Sequence, residues 1–196
     1  MSDSLSLSLS EQRQLLRLAR AALEAAVRGE SPPPVNPTDL PPALTRPGAS
    51  FVTLMNGDEL RGCIGGLHAQ QPLYEDVRDH TAQSALRDYR FPSVTAAEAP
   101  RIEIEISVLT EPQPLRYDSP DHLLQRLRPN VDGVILNQGL RRATFLPQVW
   151  ERVPDPATFL SMLCEKMGAA PNLWQHTQLE VLTYRVEKFT ESEMSD

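Results

Sequence analysis

Residues 51–65 read Phe51-Val52-Thr53-Leu54-Met55-Asn56-Gly57-Asp58-Glu59-Leu60-Arg61-Gly62-Cys63-Ile64-Gly65, and this stretch decides the fold class. Phe51 to Met55 is β-prone, Asn56-Gly57 is the strongest short hairpin signal, and Asp58 to Ile64 returns as the second strand. A two-residue hairpin makes an antiparallel pair. Further on, Ile102, Ile104 and Ile106 alternate with Glu103 and Glu105 up to Ser107, the pattern of a strand with one buried and one wet face.

Working outward, Ser8 and Glu11 stand at capping-box spacing, and Leu16, Ala19, Leu23 and Ala26 recur at helical intervals until Gly29. Residues 31–48 carry Pro32, Pro33, Pro34, Pro37, Pro41, Pro42 and Pro47, so an extended segment without ladder pairing is expected there. Pro72 opens a helix marked by Leu73, Val77, Thr81 and Ala85, and Ser119-Pro120 caps a short helix through Leu127. Val134 to Leu136 and Arg142 to Leu146 read as a second hairpin around Gln138-Gly139, with Asp132-Gly133 as a turn before it. Asp155-Pro156 starts a helix through Met167 that ends at Gly168, and Leu179 to Phe189 reads as a final strand. Interspersed helices with hairpins and alternating faces make the class α+β, an antiparallel sheet flanked by helices, rather than a doubly wound sheet.

The chain has 196 residues, a length for one domain, 1–196, with an ordered core over about 10–190. Its 26 acids against 19 bases give a net charge of −7, which repels a phosphate backbone and makes nucleic-acid binding an unfavoured class. No apolar run approaches the roughly 20 residues of a membrane span, and the N-terminus lacks a signal-peptide pattern, so a cytoplasmic protein without a membrane partner is expected. Cys63 and Cys164 are the only cysteines, and with four scattered histidines they make no metal signature. Lys166 and Lys188 are the only lysines, which leaves few candidates for Schiff-base chemistry.

In Leu60-Arg61-Gly62-Cys63-Ile64-Gly65, strict alternation sends Leu60, Gly62 and Ile64 to one face and Arg61 and Cys63 to the other. A guanidinium beside a thiol favours thiolate, which makes Cys63 the candidate nucleophile or acceptor thiol, with His68 as a possible base; its bland alternative is a small buried residue. Arg61 is a candidate anion binder together with the Gly65 and Gly66 amides, and Gly62 lets a ligand or another backbone approach. The competing reading of Arg61 is a salt bridge to Glu105 or Asp88. Glu103 and Glu105 share a face about 7 Å apart by strand rise, a spacing that suits acid–base work and equally suits the wet side of a sheet. Asp88 and Arg90 make a local pair holding Phe91-Pro92, with ligand contact at Arg90 as the alternative. Phe145, Trp150 and Cys164 read mainly as core.

The same hexapeptide carries a resemblance. The chain resembles the AMMECR domain family, in prokaryotes AmmeMemoRadiSam system protein A. The similarity extends over Phe51-Val52-Thr53-Leu54, Asp88 with Arg90-Phe91-Pro92, Ile104 to Leu109 and Asp132-Gly133-Val134, then Thr144 to Trp150, Phe159-Leu160 and Leu163-Cys164. The resemblance implies a larger and a smaller lobe with the hexapeptide near a groove between them. It also implies partners, a Memo-type metal-dependent protein and a radical S-adenosylmethionine enzyme, without supplying a reaction, cofactor or catalytic residue. His80 departs from a common Asn, Tyr89 from a frequent Pro, and Gly66 prolongs the turn. The function expected is a subunit that binds a small anionic ligand or a modified end through Arg61, Gly62, Gly65, Gly66, Glu105 and Arg90 around Cys63. The alternative is a non-catalytic interaction module for those partners.

Overall fold

The computed structural model describes residues 7–194. In chain order the elements are α1 (Leu9–Val27), α2 (Pro42–Thr45), β1 (Pro47–Asn56), β2 (Glu59–Gly65), β3 (Gln71–Pro72), α3 (Leu73–Leu86), β4 (Ile102–Leu109) and β5 (Gln113–Pro114). Then follow α4 (Pro120–Arg126), β6 (Gly133–Gln138), β7 (Arg141–Phe145), α5 (Pro156–Lys166), α6 (Leu173–His176), β8 (Glu180–Tyr184) and β9 (Val186–Thr190). The chain is α+β, with two antiparallel sheets and six α-helices among the described residues.

Two compact units divide the chain, one running through Leu109 and resuming at Glu187, the other covering Thr110–Val186. The first holds a sheet in the order β2-β1-β4-β9, with β3 paired to the start of β1. Its core joins Leu15 and Leu23 of α1, Val77 of α3, Val52 and Leu54 of β1, Ile104 and Ile106 of β4, and Phe189 of β9. The α1 start is the reciprocal cap that its sequence spells: Ser8 accepts from the Glu11 amide while the Glu11 carboxylate accepts from the Ser8 amide. The second unit orders its sheet β5-β8-β6-β7, over a core in which Trp150 stacks on Phe159 and Cys164 is fully buried.

Three expectations need correction. The stretch 179–189 is two strands, because β8 pairs with β6 while β9 lies beside β4 in the other sheet. Arg185 lies between them, its amide and carbonyl both bonded to Thr110. The Pro-rich segment is not wholly unpaired: Pro47 and Gly48 pair with Pro72 and Gln71, and Pro42–Thr45 makes one helical turn. Gly133 is no turn residue but the first of β6, where a Cβ would lie 2.3 Å from the Tyr184 ring. No helix among the described residues is long and apolar enough to cross a membrane.

Candidate functional site

All the residues singled out around the hexapeptide belong to the first unit. Gly57 at φ 59 closes the β1–β2 hairpin. Above it the pairing slips: Met55 faces Leu60 but Leu54 faces Gly62, so Arg61 is an extra residue without a partner on β1. This β-bulge breaks the expected alternation, because directly opposed residues share a face. Leu60 therefore joins the row Leu60–Met55–Glu103, on the same face as Cys63–Thr53–Glu105, while Gly62–Leu54–Ile104 faces the core.

The bulge delivers Arg61 to a buried ion pair. Its Nε donates to Glu98 Oε1 at 2.5 Å and its Nη2 to Glu98 Oε2 at 3.2 Å and to the Pro92 carbonyl at 3.4 Å. The partner is thus Glu98, not Glu105 or Asp88. The hydrogen bond from Arg61 holds the Glu98 carboxyl below its ordinary range, and the same bond raises the guanidinium. Both side chains are nearly enclosed, so the pair serves to seat the bulge.

Cys63 is half-buried, and its sulfur accepts the Thr53 hydroxyl at 3.4 Å. β2 is an edge strand, and a charged clip covers its free side. The Cys63 amide donates to Asp88 Oδ2 at 2.9 Å, and the Cys63 carbonyl accepts Arg90 Nη2 at 3.0 Å. Arg90 in turn grips Asp88 through Nε at 2.8 Å and Nη2 at 2.6 Å. The Arg90 bonds, with the Cys63 amide adding to them against the cost of burial, hold the Asp88 carboxyl well below the usual carboxylate range. Arg90 is raised chiefly by its bond to Asp88. The cation bonded to the Cys63 backbone is therefore Arg90.

The glycines have separate tasks. A Cβ on Gly62 would stand 2.1 Å from the Ser84 carbonyl oxygen, so the α3 backbone rests directly on the strand. There the Ser84 hydroxyl enters the ladder, accepting the Ile64 amide at 2.9 Å and donating to the Val52 carbonyl at 2.8 Å. A Cβ on Gly65 would meet the Ser50 carbonyl at 2.3 Å. Neither Gly65 nor Gly66 has a positive φ, and the Gly66 amide donates to the Ser50 carbonyl at 3.0 Å. The Gly66 amide is thus engaged by the sheet rather than turned to an anion.

Glu105 lies across Thr53 from Cys63 and pairs with Lys188 at 3.3 Å, while Glu103 accepts Ser192. They share a face, as expected, with separate partners. His68 is exposed. Among the described residues no three His, Cys, Asp or Glu side chains gather as a metal site.

A family model described as AMMECR1 matches residues 16–189. The chain belongs to the AMMECR1 family. It is 36% identical over 186 residues to a protein of Methanothermobacter thermautotrophicus, covering 94% of this chain and 96% of that one. A protein of Thermofilum pendens is 35% identical over 202 residues, with 95% and 92% covered. The crystal structure of an uncharacterized protein from Pyrococcus horikoshii superposes with a TM-score of 0.82 at 32% identity, covering 93% and 92% of the two chains.

For this AMMECR1 domain, sequence reasoning missed a stripe. Asp76, His80, Ser84 and Asp88 recur every four residues, and all but Asp88 lie on α3, beside the apolar stripe Leu73–Val77–Thr81–Ala85. All four turn to the sheet or its hairpin: Asp76 and His80 to Ser50, Ser84 to Val52 and Ile64, Asp88 to Cys63. A four-residue polar period running alongside an apolar one on the same helix was the available signal. Glu98 offered no such signal, because its contact depends on the bulge.

Proposed function

We propose that this AMMECR1-family chain is an accessory, substrate-handling subunit that holds a small anionic ligand or a modified end at Arg90 and Cys63, in a system with a Memo-type metal-dependent protein and a radical S-adenosylmethionine enzyme. One observation carries the reading. Arg90 is aimed by Asp88 yet its side chain is 48% exposed, and its Nη1 makes no hydrogen bond among the described residues. Arg61, by contrast, is taken by Glu98. A guanidinium fixed on one edge and open on the other suits a carboxylate or phosphate, and the neighbouring sulfur adds a group that can contact or react with the ligand.

The test compares alkylation of Cys63 by iodoacetate, an anion, and by neutral iodoacetamide, with the alkylated peptide quantified by mass spectrometry. A unit positive charge at an assumed separation of about 7 Å from a reacting anion, at an effective dielectric of about 40–80, favours the anion by roughly three- to eightfold. Arg90→Gln should lower the iodoacetate to iodoacetamide ratio by that factor, while Lys188→Gln leaves it unchanged. In the reconstituted system, Cys63→Ser should abolish turnover and leave partner binding intact. An unchanged ratio in Arg90→Gln together with full turnover in Cys63→Ser would overturn the reading in favour of a module that docks on its partners without contributing this site.

A further inference from the structure

A second polar constellation lies on the core-facing side of the sheet, where α3 meets the start of β1. Asp76 and His80 are one helical turn apart, and His80 Nδ1 is 3.1 Å from Asp76 Oδ2. The same oxygen accepts the Ser50 hydroxyl at 2.6 Å. Ser50 is fully buried and Asp76 nearly so. Serine, histidine and aspartate are the residue types of a nucleophilic triad, but the bonding differs. The Ser50 hydroxyl donates to the carboxylate, and its distance to the imidazole is 3.5 Å, which removes Ser50 as an attacking group.

What remains is an oriented imidazole. A carboxylate oxygen only accepts, so Nδ1 facing it carries the hydrogen, and in the neutral ring Nε2 then holds the lone pair. Nε2 makes no hydrogen bond among the described residues and is not sealed from solvent; the His80 side chain is 14% exposed. The turn that follows β2 passes beside the ring: a Cβ on Gly66 would stand 3.8 Å from His80 Cε1, in ordinary contact. Glycine here leaves the edge of the imidazole uncovered, although the backbone at Gly66 has no positive φ that would demand glycine.

We propose that the Asp76–His80 pair is a proton-accepting site, a general base for water or an alcohol seated against the Gly65–Gly66 turn and attacking an activated acyl group. Nε2 takes the O–H proton as that oxygen bonds to the acyl carbon. The carbon–oxygen bond to the leaving group breaks, and the imidazolium returns the proton to the leaving oxygen. Asp76 acts as a positioning residue by fixing the tautomer. The site is separate from the Arg90–Cys63 pair and stands or falls independently of it.

Nitrogen NMR of the imidazole side chains in the intact chain should show His80 with Nδ1 protonated and Nε2 bare. Asp76→Ala should mix the tautomers, and Asp76→Asn, which can place its amide oxygen at the same point, should restore them. Diethyl pyrocarbonate should acylate His80 in the wild type and in Gly66→Ala, and about tenfold more slowly in Gly66→Leu, whose side chain covers the ring. With p-nitrophenyl acetate as probe, the wild type should hydrolyse the ester at least about tenfold faster than His80→Gln. A proton on Nε2 in the wild type, equal acylation in Gly66→Leu, or equal hydrolysis by His80→Gln would each overturn the proposal.

Discussion

Gly62→Ala isolates the close approach of helix and strand on which the hexapeptide is built. The added methyl carbon would stand 2.1 Å from the Ser84 carbonyl oxygen and 2.8 Å from its carbonyl carbon. Carbon–oxygen contacts settle at about 3.3 Å, so α3 and β2 must part by about 1 Å, and both obstructing groups are backbone. Parting them stretches the Ser84 bonds to Ile64 and Val52, now 2.9 and 2.8 Å, beyond useful length. Overpacking costs about 1–3 kcal/mol and the two bonds about 1 kcal/mol each, together about 3–5 kcal/mol. Urea denaturation should show that loss as a lower midpoint at unchanged slope, and melting should fall by roughly 6–20 °C. Ser84→Ala alone removes only the two bonds, about 2 kcal/mol, and should not rescue Gly62→Ala. A cost under about 1 kcal/mol for Gly62→Ala, or its rescue by Ser84→Ala, would refute the claim that backbone contact excludes a side chain here.

The edge clip makes a prediction in acid. Asp88 is held below the usual carboxylate range by Arg90 and the Cys63 amide, so its contribution is fully present above about pH 4 and is lost as pH falls from there toward the folded-state value. Asp88→Asn should flatten the wild-type loss of stability below about pH 4, and Asp88→Ala should cost about 2 kcal/mol at neutral pH by leaving the Cys63 amide bare, both measured by urea titration. An unchanged acid slope in Asp88→Asn would count against the clip. The two acids near the hexapeptide should also separate in thermal melts: Glu98→Ala strands Arg61 in a nearly enclosed site and should cost about 3 kcal/mol, whereas Glu105→Ala breaks a partly exposed pair and should cost less than about 1 kcal/mol. Equal losses would show that Arg61 does not depend on Glu98.

The elements of this fold were legible because they follow local rules. The capping box of α1, Asn56-Gly57, the isoleucine alternation of β4 and Asp155-Pro156 each act within a few residues, and each stands where the sequence places it. What escaped depends on contacts between distant positions. Leu179 to Phe189 reads as one strand because no local residue marks the change of sheet; the marker is the Thr110–Arg185 bonding across the chain. Glu98 reaches Arg61 only because one extra residue in β2 turns that arginine out of register, and a slip of one residue moves a side chain to another face.

The hexapeptide shows the physical reason for this division. Its residue types name capacities, a cation, a thiol and tolerance of close approach, and those capacities are present. Which partner uses each one is decided by residues 20 to 40 positions away: the Ser84 backbone lies against Gly62, Asp88 binds the Cys63 amide, and Glu98 takes Arg61. Two of them, Ser84 and Asp88, continue the four-residue polar period that includes Asp76 and His80. A helix that carries such a stripe toward a sheet must satisfy every polar group it buries, because an unpaired one costs about 1–3 kcal/mol. Ser84 and Asp88 meet that requirement on strand amides and carbonyls, and Asp76 on Ser50 and His80. Among the described residues, the nitrogens that this bonding leaves open therefore lie at its ends, on Arg90 Nη1 and His80 Nε2, rather than on the arginine that the motif displays most plainly.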